Sequence, residues 1–266
     1  MRVWVEALGR WPLQICAYLG QLALLAGEVV ESVSGAKIRW RLFLAQILEI
    51  GMRSQLVVGV TGAFTGAVFT AQTYFQFKKL GMESGVGALV AVSMCRELGP
   101  VLTGLMLAGR VGASITAEIG TMKVTEQVDA LRAMGVHPVD YLVTPRMLAI
   151  ALAMPVLVAQ AIGLAAAVSY FCGVHLLGIQ GAYFVENMLK FTDGTDLLMG
   201  LSKGMVFGLM IVLISCHQGL RTTHGAVGVG RATTTAVVFS SLAILIVNFF
   251  LTLTLNIIFP AGATRG

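Results

Sequence analysis

Five long stretches of the chain are almost free of charge, and short polar segments separate them. The stretches are residues 54–77, 84–109, 147–174, 197–216 and 232–264. About 20 apolar residues suffice for an α-helix to cross a bilayer, and a backbone in lipid must satisfy its amides within the segment. The pattern predicts an all-α integral membrane protein with five transmembrane helices.

The composition agrees with this pattern. Hydrophobic residues make up 57% of the 266 residues and charged residues 12%, with a mean hydropathy of +0.85; a soluble domain carries roughly twice that share of charge. The net charge of +5 is scattered between apolar segments, which excludes a nucleic-acid-binding patch. We predict one domain over residues 1–266, with the transmembrane bundle at 45–264.

The first 33 residues are apolar but interrupted by charges, and they contain Trp4, Trp11 and Tyr18. Such a segment is typical of a helix that lies in the headgroup plane. We predict an interfacial helix over residues 1–33, broken near Pro12. The alternative is a sixth spanning helix.

Lysines and arginines differ in number between the two predicted faces. Twelve lie in residues 1–53, 110–146 and 217–231, which would share one face, and five lie in the segments of the other face. The positive-inside rule therefore predicts a cytoplasmic N-terminus and a C-terminus on the opposite side.

Arg96 and Glu97 stand together near the middle of the second apolar stretch, where a charge is costly unless it is paired, hydrated or beside a cavity. Pro100 has no amide hydrogen, so the Arg96 carbonyl loses its helical partner. Adjacent residues on a helix point about 100° apart, which favours separate partners for the two charges. Two interpretations remain: a polar patch that lines a substrate path, or a buried ion pair that positions neighbouring helices.

A second polar segment, residues 117–135, joins the second and third spans. Its apolar residues recur at helical spacing, which predicts a short amphipathic helix within 118–136 that has Thr125 as its N-cap and ends at Gly135. It is either a helix resting on the membrane or one that docks into a groove of a soluble partner. The stripe consists of Val124, Val128, Leu131 and Gly135.

The chain contains no Gly-x-x-x-x-Gly-Lys-[Ser/Thr] motif, so it lacks that device for holding nucleotide phosphates. The four histidines have no metal-ligand spacing, and the four cysteines lie far apart. We therefore predict that the chain is not an enzyme, holds no cofactor or metal, and obtains energy for any transport from another protein.

Six short motifs follow one another from the second span to the last. They are Arg-Glu-Leu-Gly-Pro at 96–100, Ala-Gly-Arg at 108–110, Ala-Glu-Ile-Gly-Thr-Met at 117–122, Thr-Glu-Gln at 125–127, Pro-Arg at 145–146 and Gly-Arg-Ala-Thr-Thr at 230–234. In order and spacing they resemble the MlaE/YrbE-type permeases, membrane subunits of ABC transporters that work with MCE proteins on lipids. The resemblance covers about residues 45–255.

The resemblance implies an interfacial N-terminal helix, five spans and a cytoplasmic coupling helix. It implies a multi-pass protein of the bacterial inner membrane, with its N-terminus cytoplasmic and its C-terminus periplasmic. The partners it implies are an ABC ATPase that holds ATP and Mg²⁺, a periplasmic MCE-domain protein, a small cytoplasmic accessory subunit and a second copy of this chain in a homodimer. The implied function is movement of phospholipid, as in outer-membrane lipid asymmetry.

By the same resemblance, Arg96, Glu97 and Arg231 would line or flank a lipid cavity between the two permease halves. Some relatives carry a basic residue near the cytoplasmic end of the first span, where this chain has Ala45 and Gln46. A further set of residues would belong to the element that faces the ATPase: Glu118, Thr125, Glu126, Gln127 and Leu131.

Two other classes of function fit the residues alone. An ion- or proton-coupled secondary transporter would use Arg96 and Glu97 as a relay, but such folds usually break their helices in both halves. A scaffold that does not transport would need the two charges only for stability.

Overall fold

The computed structural model describes residues 2–35 and 39–258, with side chains described for residue 13 and from residue 16 onward. Every regular element in that part of the chain is helical. The α-helices are α1 Arg2–Ser34, α2 Trp40–Ile50, α3 Gln55–Lys78, α4 Val86–Ser93, α5 Gly99–Leu107, α6 Ala113–Val124, α7 Gln127–Ala133, α8 Thr144–Phe171, α9 Gly181–Phe191, α10 Gly194–Leu220 and α11 Gly225–Ile258.

The five predicted spans are confirmed. α2 and α3 form one apolar segment, α4 to α6 a second, and α8 with its flanking turns a third, and α10 and α11 are the other two. π-Helical turns at Met94–Leu98 and Ala108–Gly112 join α4, α5 and α6 into a single rod. The end of the predicted fifth span, residues 259–264, lies outside the described residues.

The connections between spans define two ends of the bundle. At the α7 end, Gly120 near the end of α6 packs against Thr222, and residues 135–138 line one cavity together with Leu220. At the α9 end, the Asn187 amide donates a hydrogen bond to the Ser84 carbonyl at 2.9 Å.

α1 also contains a segment, Cys16–Ser34, that is long and apolar enough to cross a membrane. Its hydrogen bonds, however, are made at the α7 end: Gln21 bonds Arg221 just beyond α10, and Ser32 bonds Thr144 at the start of α8. The Tyr18 ring in addition packs on Phe239, fourteen residues into α11. Gln21 and Ser32 are about 16 Å apart along α1, yet both meet the ends of other helices. α1 therefore lies across the bundle end, which favours the interfacial placement.

The predicted break of this helix near Pro12 is wrong, because α1 continues through that residue. A proline removes one backbone hydrogen bond and crowds the preceding turn, while the bonds of the flanking turns remain. The side chains of Trp4 and Trp11 lie outside the described part of the chain.

α3 packs on the central helix α8 through glycines. A Cβ atom built at Gly62 would lie 2.6 Å from the carbonyl oxygen of Ala161, and one at Gly66 would lie equally close to that of Ala165. Only glycine permits backbones to approach so closely. The Gly62-x-x-x-Gly66 motif therefore joins two helices of the same chain.

α10 also packs on α8 through glycines, which here face side chains of α8. A Cβ atom at Gly204 would lie 2.7 Å from a side-chain atom of Val158, and one at Gly208 would lie 2.9 Å from a side-chain atom of Ile150. α8 thus lies between α3 and α10, and most of the buried apolar residues surround it.

Candidate functional site

The polar site in the second span is built on the π-helical turn Met94–Leu98. Pro100 follows this turn and cannot donate to the Arg96 carbonyl. The Lys203 ammonium of α10 donates to that carbonyl at 3.0 Å. The carbonyl predicted to be free is therefore satisfied by a lysine from another span, at a type of turn that is frequent at functional sites.

Glu97 lies at the centre of one half of the site. Its Oε1 atom is 2.7 Å from Lys203 Nζ and accepts a hydrogen bond from the Thr252 hydroxyl at 3.0 Å. Its Oε2 atom accepts a hydrogen bond from Asn248 Nδ2 at 3.0 Å. The Lys203 side chain is 2% exposed and that of Glu97 is 38% exposed, so the buried cation is neutralised by a carboxylate that still reaches the surface.

Arg96 forms the other half. Its Nε atom donates to Asp196 Oδ1 at 2.6 Å, and its Nη1 atom donates to Asn256 Oδ1 at 3.2 Å. Asp196 also accepts the Asp193 backbone N–H at 2.9 Å and so closes a capping box at the start of α10. The side chain of Asp196 is 3% exposed and that of Arg96 is 21% exposed.

The prediction that Arg96 and Glu97 have separate partners is confirmed. The sequence interpretation missed Asp196, Lys203 and the polar residues of α11. A signal for the α11 residues was present, since three polar residues recur every fourth position in an apolar stretch. They are Asn248, Thr252 and Asn256.

Arg231 lies elsewhere. It is on α11, seventeen residues before Asn248, which is about 25 Å along the helix, so the structure does not bring it to Arg96 and Glu97. It lines a separate cavity of about 170 Å³ at the α7 end, together with Arg221 and His224. Among the side chains that the structure describes, none that lines this cavity is a carboxylate, which makes it attractive to anions.

The predicted coupling helix is shorter than residues 118–136, and Thr125 is not its N-cap. α6 continues to Val124, where the Thr125 hydroxyl donates back to the Thr121 carbonyl at 2.8 Å and so belongs to the end of α6. Glu126 then adopts a left-handed conformation (φ 61°), and α7 begins at Gln127.

The predicted stop at Gly135 is confirmed. Gly135 has φ 73°, and the backbone N–H groups of Gly135 and Val136 bond back to Arg132 and Leu131, as in a Schellman motif. Val128 is fully buried, and Leu131 is half-buried.

Glu118 lies in α6 rather than in the coupling helix. Its carboxylate is 2.7 Å from Arg146 Nη2, and the Arg146 side chain is 4% exposed while that of Glu118 is 54% exposed. Glu118 therefore neutralises a buried arginine of its own chain. Thr125, Glu126 and Gln127 of the predicted coupling surface are exposed as well.

α7 is tied to α6 by an ion cluster. Asp129 accepts a hydrogen bond from Lys123 Nζ at 2.7 Å and one from Arg132 Nη1 at 3.2 Å. The hydrogen bond from Lys123 is the main cause that lowers the pKa of Asp129 below its ordinary value.

Comparisons with known proteins agree with this architecture. The family model of the permease MlaE matches residues 43–254. A probable ABC transporter permease protein of Rickettsia conorii is 42% identical over 249 residues, which cover 93% of this chain and 95% of that protein.

A probable ABC transporter permease protein of Synechocystis sp. is 42% identical over 227 residues, 85% of this chain and 86% of its own length. The chloroplastic protein TRIGALACTOSYLDIACYLGLYCEROL 1 of Arabidopsis thaliana is 39% identical over 228 residues, 86% of this chain and 65% of its own length. The chain therefore belongs to the MlaE permease family and is the permease subunit of an ABC transporter.

Proposed function

We propose that this subunit moves phospholipid between the bacterial inner membrane and a periplasmic MCE-domain protein, as a homodimer driven by a separate ABC ATPase. The observation that carries the proposal is the charged network in the second span, where Arg96 and Glu97 remain partly exposed while their partners Asp196 and Lys203 are buried. Charges at membrane depth mark substrate pathways, and a guanidinium binds phosphate in a bidentate manner.

The cavity that Arg221 and Arg231 line supports a lipid substrate. It lies at the opposite end of α11 from Asn256, and its described lining contains two guanidinium groups and no carboxylate. We propose that it contacts the headgroup of a lipid at the α7 end, with Arg231 as the principal ligand. The name of the Arabidopsis thaliana relative contains that of a diacylglycerol lipid, which agrees with a lipid as the substrate.

We propose that the ATPase binds at the α7 end, where Thr125, Glu126 and Gln127 project beside α7. A short helix that docks into a groove is a common mode of recognition. Leu131 is half-buried and would contribute through its exposed edge. The accessory cytoplasmic subunit would bind on the same side of the membrane.

The alternative is a secondary transporter, a class of fold that usually has a broken helix in both halves of the chain. α8 runs without interruption through Pro155, and α10 and α11 are also continuous. The ABC permease therefore remains the function that the geometry supports best.

The test is transfer of a fluorescent phospholipid from vesicles that contain the chain and its ATPase to an acceptor MCE protein. We expect Glu97→Gln and Arg96→Lys to lower the transfer rate at least tenfold while ATPase copurification is retained. The control, Arg53→Gln, removes an exposed ion pair with Glu49 and should leave transfer unchanged. Normal transfer by both network variants would contradict the proposal, and gradient-driven transport without the ATPase would favour the alternative.

A further inference from the structure

A cavity of about 150 Å³ lies in the flank of the bundle, between α4, α8 and α9. Val90, Met94 and Phe184 line it, and each of these side chains is at most 2% exposed. Gly163 and Leu189 also line it and are exposed, so they form its mouth. No charged residue is among the described residues that line it.

The mouth opens towards hydrocarbon. Gly163 lies well inside the third span, which extends from Val139 to Leu176, and a Cβ atom built at Gly163 would meet nothing within 4 Å. At this depth in the bilayer the surrounding medium consists of lipid chains. An acyl chain is therefore the apolar molecule with direct access to the cavity.

The cavity is polar at one end only. Ser169 and Thr192 line it near the α9 end, and their buried hydroxyl oxygens have no hydrogen-bond partner among the described residues. Ile162 lies seven residues earlier than Ser169 on α8, about 10 Å deeper in the bilayer. Because buried hydroxyl groups are normally hydrogen-bonded, this arrangement suits a ligand with a hydrogen-bond acceptor near the membrane boundary and an apolar tail below it.

We propose that this cavity binds one acyl chain of a diacyl lipid from the leaflet at the α9 end. The Thr192 hydroxyl donates a hydrogen bond to the ester carbonyl, and the chain lies along Val90 and Met94. An apolar cavity of this volume accommodates a small hydrocarbon group, so it holds part of one chain and no more. The headgroup remains outside, so the site is separate from the proposed phosphate contacts of Arg96 and Arg231 and does not depend on transport.

The first test is photocrosslinking of the full chain in phosphatidylcholine vesicles that contain a phosphatidylcholine with a diazirine in its acyl chain. We expect adducts on peptides that contain residues 160–170 and 184–192. Gly163→Leu fills the mouth and should reduce these adducts at least fivefold, while adducts on residues 238–250 of α11 stay constant. Gly20→Leu places the same side chain at another open position and should change neither set.

Absence of the α8 and α9 adducts in the wild-type chain, as expected if a protein helix fills the cavity, would overturn the proposal. Equal adducts in the Gly163→Leu chain would do the same.

The second test compares a diester with a diether form of the same photoreactive lipid, because only the ester has the carbonyl that Thr192 would bind. We expect the wild-type cavity to capture the ester about threefold more efficiently, as a neutral hydrogen bond allows. Thr192→Val keeps the shape of the side chain and should abolish the preference. Equal capture of both lipids by the wild-type chain would contradict the proposed orientation.

Discussion

Lys203 and Glu97 form an ion pair of 2.7 Å in which the lysine is buried and the glutamate is partly exposed. The two groups therefore differ in the interactions that they can still make when the ion pair is broken. The carboxylate can turn to water or to a ligand, whereas the ammonium group would keep, among the described residues, the Arg96 carbonyl and the Thr252 hydroxyl.

This asymmetry predicts that Glu97→Ala destabilises the protein more than Lys203→Met does. Loss of one partner of a buried pair costs about 3–5 kcal/mol, and only Glu97→Ala leaves the buried charge behind. Thermal unfolding of the purified chain in detergent measures the difference. The double variant Glu97→Ala/Lys203→Met should be more stable than Glu97→Ala alone; if it is less stable, the attribution to the stranded lysine is wrong.

The ion pair of Glu118 and Arg146 predicts a loss of stability that can be measured in the isolated chain. Glu118→Ala leaves the buried Arg146 guanidinium without its carboxylate, so the isolated chain should lose about 3 kcal/mol of stability. Glu126→Ala, at an exposed site, is the matched control and should change stability little. Equal melting temperatures for wild type and Glu118→Ala would show that the ion pair does not stabilise the isolated chain.

The ion cluster around Asp129 connects α6 and α7, and we predict that this connection weakens only in acid. Its folded-state pKa is lowered by the hydrogen bond from Lys123, so the stabilising charge is fully present above the ordinary aspartate pKa of about 3.9 and is lost as the pH falls through the lower folded value. Asp129 therefore stays charged between pH 5 and 7. The hydrogen-exchange rate of residues 127–133, corrected for the intrinsic exchange rate, should stay constant over this range.

Asp129→Asn removes the same charge at neutral pH and should increase exchange in α7 severalfold. Arg132→Gln keeps the shorter contact between Asp129 and Lys123 and should have a smaller effect. Unchanged exchange in Asp129→Asn would show that burial of Val128 alone holds α7 in place.

The close packing of α3 on α8 predicts that Gly66→Ala destabilises the bundle. The added methyl group would lie 2.6 Å from the Ala165 carbonyl oxygen, and overpacking of this kind costs about 1–3 kcal/mol. Gly20→Ala, at an open helical position, should be neutral or stabilising because alanine has the higher helix propensity. Melting temperatures of the two variants decide whether the contact is as tight as described.

The spans were predictable because the cost of charge and of unpaired amides in lipid acts on each segment separately. The end of α7 at Gly135 was predictable for a similar reason, because it depends on the left-handed conformation of that one glycine. The start of α7 was not, because Thr125 can cap a following helix or bond back to Thr121, and the sequence does not distinguish these two uses.

The partners of Arg96 and Glu97 were harder to predict because they lie on other helices. Each charge needs a partner because lipid solvates charges poorly. Which residues supply that partner depends on how α10 and α11 pack. Asp196 resembles an ordinary first-turn acidic residue in the sequence, and only the fold places it beside a guanidinium 100 positions earlier.

The contacts of α8 with the glycines of α3 and α10 have a consequence for movement during transport. Neighbouring helices that meet at such short separations cannot slide by a turn or rotate about their axes without collision, so these three helices should travel together as a block. In the most apolar 18-residue stretch of α11 only 17% is buried inside the chain, whereas in that of α10 50% is buried. We therefore expect spin labels on α3 and α10 to keep a constant separation through the nucleotide cycle, while labels on α10 and α11 change theirs.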